Sequence, residues 1–462
     1  MSETPTLVSL FSGCGGLDIG LEEVGFRCVV ANDLEHYACE SLRSNQTLGG
    51  LGQDEFAGWL ECQFRQRTYS LAEESVRYRL ARRVRSGLGT HSFLRHASVL
   101  EGDIASISST DLQDASGVSK GELTLVAGGP PCQPFSRAGK RKNVEVADGR
   151  LFVEFVRVVK DLQPRWFLFE NVRGLATTKT DVLRDQCQSC GRRSIVPFAE
   201  RISDCPGTDT TGESCGSCGS QDVRRYVDRC NEGSLEIIIA EFERAGYKCD
   251  WRVLNSADFG VPQVRERVFI LGSRDGERIR WPSPTHRRRS MQEQLFTSEQ
   301  GTPLMDWRTT WDAVWCNGHD TFGSLDPETV VLWVKNVVRP HDEPVTWTLD
   351  RPSPTVGAHQ AAKLAIAPKG VPVEQLVRQQ WHTRGRRQGD LPPVPVEHEM
   401  VTDGELLRLQ SFPEWWYLFG TRMQRAFQIG NAVPPLLAKA IGNCLLGADS
   451  QEDQKRPELL AG

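Results

Sequence analysis

The chain has 462 residues, 39% of them hydrophobic and 25% charged, and a formal net charge of −5 at pH 7. These values exclude wholesale disorder and a uniformly basic nucleic-acid coat, and the length suits about two or three domains. No stretch approaches the roughly 18 apolar residues of a membrane span, and the start, Met-Ser-Glu-Thr-Pro, carries no basic segment. The expectation is a monomeric, cytoplasmic protein without membrane contact, whose 14 cysteines point to metal binding or catalysis before disulfides.

Residues 6–11 form a β-type run that breaks at Ser12-Gly13-Cys14-Gly15-Gly16, and residues 17–24 have helical apolar spacing. Residues 28–31 read as a second strand ending at Asn32-Asp33. Strand, glycine turn, helix and strand open a doubly wound, mostly parallel α/β sheet. Residues 45–96, rich in Arg and Gly, interrupt it, with helix expected over 71–84. Arg82, Arg83 and Arg85 there, like Arg287, Arg288 and Arg289 later, read as solvated surface. The alternation resumes with a strand at 123–126, the loop 127–136, a helix at 151–162 and a buried-type strand at 166–169 ending at Glu170-Asn171. A cysteine-rich interruption spans 180–230, followed by a helix at 235–245 and a hairpin from 249–254 and 268–271. Beyond Ser273 the pattern is irregular, until helical spacing returns at 404–410 and 435–446.

Three constellations carry chemistry. Gly13, Gly15 and Gly16 after a strand let a ligand approach the backbone, and Gly20 lets the helix pack against the sheet. Asp33, at the end of the next strand, stands where an acid accepts the ribose hydroxyls of an adenosine cofactor, although a nicotinamide dehydrogenase would look much the same here. The second constellation, Pro130-Pro131-Cys132-Gln133-Pro134, sets one cysteine in a stiff loop at the carboxyl end of a strand, as a thiolate held in one attack geometry requires. A structural cysteine has no need of so rigid a loop. In the third, Cys187-x-x-Cys190-Gly and Cys215-x-x-Cys218-Gly have the spacing of a structural, tetrahedral zinc site, with Cys205 and Cys230 nearby.

Taken together, these segments resemble the DNA cytosine-5 methyltransferase family. Pro130–Ser136 is similar to its catalytic loop, and residues 10–16 resemble its cofactor loop. Gly102-Asp103-Ile104 resembles the block whose acid sits near the adenine, and Phe169-Glu170-Asn171-Val172 the block of the catalytic glutamate. Gln263-Val264-Arg265-Glu266-Arg267 resembles the Gln-x-Arg-x-Arg block, whose spacing would set all three side chains on one strand face. Arg351-Pro352-Ser353-Pro354-Thr355 resembles the ninth block, and residues 406–413 and 430–435 the closing segment.

The resemblance implies methyl transfer from S-adenosylmethionine to carbon 5 of a cytosine flipped out of duplex DNA, in a prokaryotic restriction–modification setting with a cognate endonuclease acting separately. It makes Cys132 the nucleophile, Glu170 the partner of the ring nitrogen with a pKa raised by burial, and Arg265 and Arg267 the holders of the base carbonyl, the glutamate and the cysteine loop. Cofactor contacts are expected from Phe11, Ser12, Gly13, Gly15, Gly16, Leu17, Asp33, Asp103, Ile104, Pro131 and Asn431.

The implied organisation is a catalytic and cofactor-binding domain over 1–274, bearing the insertion 45–96 and a zinc-ribbon-like insertion 180–230. A smaller, irregular target-recognition domain follows over 275–427, then a segment over 428–462 that returns to the first domain. Within 275–350, Trp281, Trp307, Trp311, Trp315, Trp333 and Trp347 among arginines suit a base-reading surface. A tRNA-methylating branch shares the cysteine loop, but its Cys-Phe-Thr tripeptide is missing from this chain. A non-catalytic zinc-ribbon DNA-binding protein is the other alternative, disfavoured by intact Cys132, Glu170, Arg265 and Arg267.

Overall fold

Strand β1, Thr6–Leu10, is buried along its whole length, as a strand covered on both faces must be. The computed structural model of the chain describes residues 4–65, 74–89, 91–131, 150–198, 214–288, 303–314, 330–336, 345–357, 360–366 and 398–447. From β1 the chain runs through α1 (Gly16–Glu22), β2 (Arg27–Asp33), α2 (His36–Leu48), α3 (Gln53–Arg65), α4 (Glu74–Arg85) and β3 (Ser98–Glu101). Then come α5 (Ser109–Ser116), β4 (Leu125–Gly128), α6 (Arg150–Leu162) and β5 (Trp166–Val172). The cysteine-rich insertion holds β6 (Thr180–Cys187), β7 (Arg193–Ile195) and β8 (Val223–Cys230), and α7 (Gly233–Arg244), β9 (Lys248–Asn255) and β10 (Glu266–Ser273) close the first lobe.

Seven of these strands form one mixed sheet in the order β3-β2-β1-β4-β5-β10-β9. The first five are parallel, and β10 runs antiparallel to β5 and β9, so the hairpin expected at 249–271 is present. Chain order reverses between β1 and β4, and ligands bind at such a switch point, beyond the carboxyl ends of the strands.

Alternation along the strands divides the core between two faces. Trp166 and Leu168 of β5 pack in one cluster with α1 and the closing helices, while Phe167 and Phe169 pack in another with α6 and α7. Helix α6 supplies Phe152, Phe155, Val156, Val158, Val159 and Leu162 to the second cluster, a stripe of helical period.

A second lobe follows. It contains β11 (His286–Arg287), β12 (Met305–Asp306), α8 (Thr310–Val314) and an antiparallel sheet, ordered β14-β13-β15-β16, of β13 (Val330–Asn336), β14 (Val345–Thr348), β15 (Gln360–Ile366) and β16 (His398–Met400). Helices α9 (Asp403–Leu409), α10 (Arg422–Asn431) and α11 (Pro435–Leu446) lead back, α9 and α10 each opened by a capping box, Thr402/Glu405 and Thr421/Gln424. The boundary expected at residue 427 falls inside α10, and the return begins earlier. Trp416 is fully buried and donates to Cys14 O at 3.0 Å, so residues before 428 already belong to the first lobe's core.

No described helix is long and apolar enough to cross a membrane. The insertion expected at 45–96 keeps α2 intact through Leu48, and Asn45 is buried, exchanging two hydrogen bonds with Tyr417. Helices α3 and α4 then close a small core of Phe56, Phe64, Leu80, Val84 and Leu88 over Tyr417. Gly20 packs differently from expectation: an added Cβ would lie 2.3 Å from Pro435 O, so its missing side chain admits α11, not the sheet.

Candidate active site

The cofactor side is made largely of backbone. After β1 the chain enters a tight turn through Phe11 at φ 55, strained for a residue with a side chain, and Ser12 donates to Asn32 O at 2.9 Å. Gly13 has φ +54 and open space where a Cβ would stand, so its outer face is free for a ligand. Gly15 and Gly16 face inward: a Cβ would meet Leu42 and Trp416 at the first, and Val433 O at 2.3 Å at the second. Cys14 is fully buried and its thiol is pushed far up, which makes this cysteine inert. Leu17 is buried beneath the loop.

Asp33 ends β2 beside this loop, with Oδ2 accepting from Gly13 N at 2.8 Å and Oδ1 from Glu35 N at 2.9 Å. A carboxylate has about four acceptor positions, so both oxygens can still receive ribose hydroxyls. Burial raises its pKa against the pull of those N–H groups. Leu34 follows, 63% exposed, an apolar face at the same strand end that the sequence did not single out. At the end of β3, Asp103 is exposed and caps a short 3-10 turn by accepting from Ala105 N at 3.0 Å, while Ile104 is buried. Asn431, exposed at the end of α10, and Pro131, exposed after β4, complete the expected set. An open glycine, an acid and an apolar side chain at neighbouring strand ends fit an adenosine-type cofactor.

On the other side of the switch point the site is made of buried charge. Cys132 lies outside the described residues, but β4 delivers the chain to Pro131, and β4 pairs with β5 so that Gly128 stands opposite Phe169. Glu170 is buried and Arg267 meets its Oε1 at 3.1 Å. On paired strands Arg267 faces Val172, two residues from Glu170, so the contact is the diagonal one of an antiparallel ladder. Burial pushes the Glu170 carboxyl up, opposed by Arg267 and Arg265, as the sequence led one to expect. An added Cβ on Gly129 would sit 2.5 Å from Glu170 Oε2, so the cysteine loop must carry glycine there for the carboxyl to fit. Asn171 Nδ2 donates to Pro130 O at 3.2 Å and ties the glutamate strand to that loop.

The Gln-x-Arg-x-Arg block departs from expectation. Strand β10 begins only at Glu266, so the three side chains do not share a strand face. Gln263 is fully buried, donates to Leu409 O at 3.2 Å and accepts from Val356 N at 3.1 Å, joining the ninth block to the closing segment. Arg265 is fully buried and donates through Nη1 to Gly430 O at 2.8 Å; its Nε and Nη2 are buried without a partner. Burial works against charge on both arginines, but a guanidinium stays protonated. Among the described residues of the cysteine loop, the side-chain bond to Pro130 O comes from Asn171; residues 132–136, which the arginines are expected to support, lie outside the described residues.

Three tryptophans of the second lobe are engaged with protein. Trp281 donates to Asp250 Oδ2 at 2.8 Å, Trp307 to Asp258 Oδ1 at 2.9 Å and Trp347 to Pro352 O at 2.7 Å. The N–H groups of these three indoles are thus taken up, two by the first lobe and one by Pro352 of the ninth block. Trp315 lies outside the described residues.

The four cysteines of the insertion do converge: their sulfurs lie within 4.8 Å of one another, with Cys187–Cys218 at 3.6 Å and Cys190–Cys215 at 3.7 Å. Cys230 stands apart, near Arg184 and Glu236, and Cys205 lies outside the described residues. The insertion starts at the catalytic end of β5 but does not stay there. Gly233, at the start of α7, abuts Val182 and Thr180 of β6, whereas Arg244, at its end, donates to Ile195 O and lines one cleft with Cys187 and Cys215. Since α7 feeds β9, which runs parallel to β5, the cysteines lie toward the edge of the sheet away from Glu170.

Glycine loop, strand-end acid and buried acid–arginine pair around one switch point are those of an S-adenosylmethionine-dependent methyltransferase. The model of the C-5 cytosine-specific DNA methylase family matches residues 6–54, 93–190 and 222–446, and the chain belongs to that family. Methyl transfer to carbon 5 of cytosine in DNA is its reaction. The internal unmatched stretches, 55–92 and 191–221, fall inside the two insertions. Similar proteins include the type II methyltransferase M1.HphI of Haemophilus parahaemolyticus, 27% identical over 97% of this chain and 88% of its own length. M.AquIA of Picosynechococcus is 30% identical over 67% of this chain and 87% of its own, and M.XorII of Xanthomonas oryzae pv. oryzae 25% identical over 99% and 88%.

Proposed function

We propose that the chain methylates one cytosine within a specific duplex DNA sequence, through base flipping and a transient Cys132 adduct, as the modification member of a type II restriction–modification pair. The observation that carries the mechanism is the buried Glu170–Arg267 pair beside the loop that leads to Cys132. The type II names of the similar proteins support the biological setting.

Carbon 5 of cytosine is a poor nucleophile. Addition of the Cys132 thiolate to carbon 6 sends an electron pair toward ring nitrogen 3, where Glu170, its proton favoured by burial, donates a hydrogen bond or the proton itself. Arg267 holds that carboxyl in place. Arg265 has donors to spare, and a base carbonyl at Nε or Nη2 would remove the cost of leaving them unpaired. S-adenosylmethionine, when bound, supplies the methyl group. Loss of the carbon 5 proton then re-forms the ring double bond as the thiolate departs. The target atom lies inside a base pair, so the nucleotide must leave the stack.

Residues 275–350 carry target choice in this reading, with contacts other than the three anchored indoles. The cysteine cluster holds one structural zinc ion: sulfurs about 2.3 Å from a tetrahedral centre stand roughly 3.8 Å apart, close to the spacings here. Among the described residues the core around these cysteines is Cys187, Cys215 and Val223, so the metal supplies much of its folding energy. Elemental analysis should find about one zinc per chain, and Cys190→Ser should lose it and open the insertion to proteolysis; metal-free protein with an intact insertion would refute the site. For the reaction, a duplex with 5-fluorocytosine at the target should trap the chain covalently, because the fluorine cannot leave as a proton does. Peptide mapping should find Cys132, and Cys132→Ala should form no adduct while still binding cofactor. A trap on another cysteine would overturn the assignment.

A further inference from the structure

The loop that bears Asp103 and Ile104 leaves the edge of the sheet. Strand β3 pairs with β2 alone, so the ladder fixes its end from one side. On that side Asn32, buried, donates from Nδ2 to Leu100 O and Gly102 O, each at 3.0 Å, and Gly102 N reaches Asp33 O. Among the described residues the other side has no strand, and the 3-10 turn is closed by its own backbone, Ser106 N on Asp103 O at 2.8 Å and Ile107 N on Ile104 O at 3.3 Å.

One side chain braces it from outside. Arg157 of α6 donates from Nη2 to Ile104 O at 2.9 Å and Ile107 O at 3.1 Å, and from Nη1 to Ser109 Oγ at 3.0 Å. Its own orientation is fixed by Glu154, which accepts from Nε at 2.7 Å, and by Asp161, which also accepts from Ser109 Oγ. The planar fork therefore spans the turn as a splint, its nitrogens all engaged with protein. Its helix is a firm base, because Phe155, Val158 and Val159 beside it are fully buried.

We propose that Arg157 is a positioning residue for the cofactor. It clamps the turn from α6 while Asn32 clamps the preceding strand end from β2, and the two set where Asp103 and Ile104 meet the adenosine end of the ligand. Among the described residues the loop's hydrogen bonds run to β2 and α6 and none to Glu170, Arg265 or Arg267, so the effect falls on cofactor affinity and not on methyl transfer. The proposal rests on the reading of Asp103 and Ile104 as cofactor residues.

The test is calorimetric titration of the full chain with S-adenosylhomocysteine, without DNA. Arg157→Met, which keeps the apolar stem and removes every donor, should bind roughly tenfold more weakly, and Arg157→Lys, which can keep one carbonyl, should fall between. With cofactor and DNA both saturating, kcat should stay within about twofold of wild type while KM for S-adenosylmethionine rises. A role in general stability would instead lower kcat and affinity together and would not be rescued by lysine. Arg157→Met binding like wild type, or losing kcat as much as affinity, would overturn the proposal. Asp103→Ala measured beside it separates the two levels. If both variants bind like wild type, the reading of the block fails and the proposal with it; if only Asp103→Ala is weakened, the proposal alone falls.

Discussion

The two sides of the switch point hold charge in opposite ways. On the base side Glu170 is buried against Arg267 with Arg265 behind it, so cations outnumber the acid they serve. On the cofactor side the buried groups are, among the described residues, acids without a cation: burial raises Asp18 and Glu22, and Asp33 adds to the first and Asp18 to the second. The contrast suits the ligands. A flipped cytosine gains electron density at nitrogen 3 during the reaction and needs donors, whereas a sulfonium cofactor is cationic at its reacting atom and is favoured by negative potential. One side is therefore tuned for a charge that develops, the other for a charge that arrives with the ligand.

The largest effect that would sharpen this contrast is on the base side. Glu170→Gln keeps the size but removes the titratable proton, and it leaves Arg267 facing an amide. Single-turnover methylation should slow by about 10²–10⁴-fold, the usual worth of a positioned acid. Binding of S-adenosylhomocysteine should not change. If cofactor affinity fell in step with the rate, the two sides would not be separable as described.

The cofactor side should give the reverse pattern with a smaller magnitude. Asp33→Ala removes an acceptor for the ribose and the tether on Gly13 N. A lost charged hydrogen bond is worth roughly 1.5–3 kcal/mol, about one or two decades in affinity. Calorimetry should record that loss, while the single-turnover rate at saturating cofactor stays close to wild type. Unchanged affinity would mean that the carboxylate serves the turn alone.

The sequence made legible what is local. The glycine turn, the end of β2 at Asp33 and the Glu170 strand end are each a few consecutive residues in a fixed relation to one strand. The cysteine pairs were legible for the same reason, their spacing being set by knuckle geometry. What depends on distant partners was not. Gln-x-Arg-x-Arg suggested one strand face, but the chain becomes a strand only at Glu266, and each side chain finds a different segment: Leu409, Gly430 and Glu170. Gly16 and Gly20 looked like cofactor and sheet glycines, yet they are shaped by Val433 and Pro435, some 400 residues away in sequence. Trp281, Trp307 and Trp347 looked like part of a reading surface because composition does not reveal that Asp250, Asp258 and Pro352 accept their N–H groups. Nothing in the local sequence around Arg157 reveals that the turn at Ile104 folds against it.

The smallest effect concerns stability. Asp18 is fully buried in α1 with Oδ2 unpartnered, and burial raises its carboxyl from 3.8 to about 6; Glu22, one turn on, rises from 4.5 to about 7 for the same reason. A carboxyl with a folded pKa above its unfolded one holds its proton more tightly when folded. Its contribution to stability is fully present below the unfolded value, near pH 4, and is lost as pH rises through 6 and 7. The cofactor-free chain should therefore melt at a higher temperature near pH 5.5 than near pH 8. At roughly 1.4 kcal/mol per pKa unit the whole Asp18 term is on the order of 3 kcal/mol, but most of it is lost between pH 4 and 5.5, so its share between pH 5.5 and 8 is about 1 kcal/mol, a degree or two for a chain of this size. Asp18→Asn removes the charge and keeps an acceptor, so it should flatten the profile between those two pH values and raise the melting temperature at the upper one. The base side sets the control: Glu170 is also raised, but its arginines oppose the shift, so Glu170→Gln should flatten the profile less. Differential scanning calorimetry of the three proteins at both pH values decides it. Equal slopes for wild type and Asp18→Asn would show that the acid beneath the cofactor loop does not carry the uncompensated charge that distinguishes the two sides.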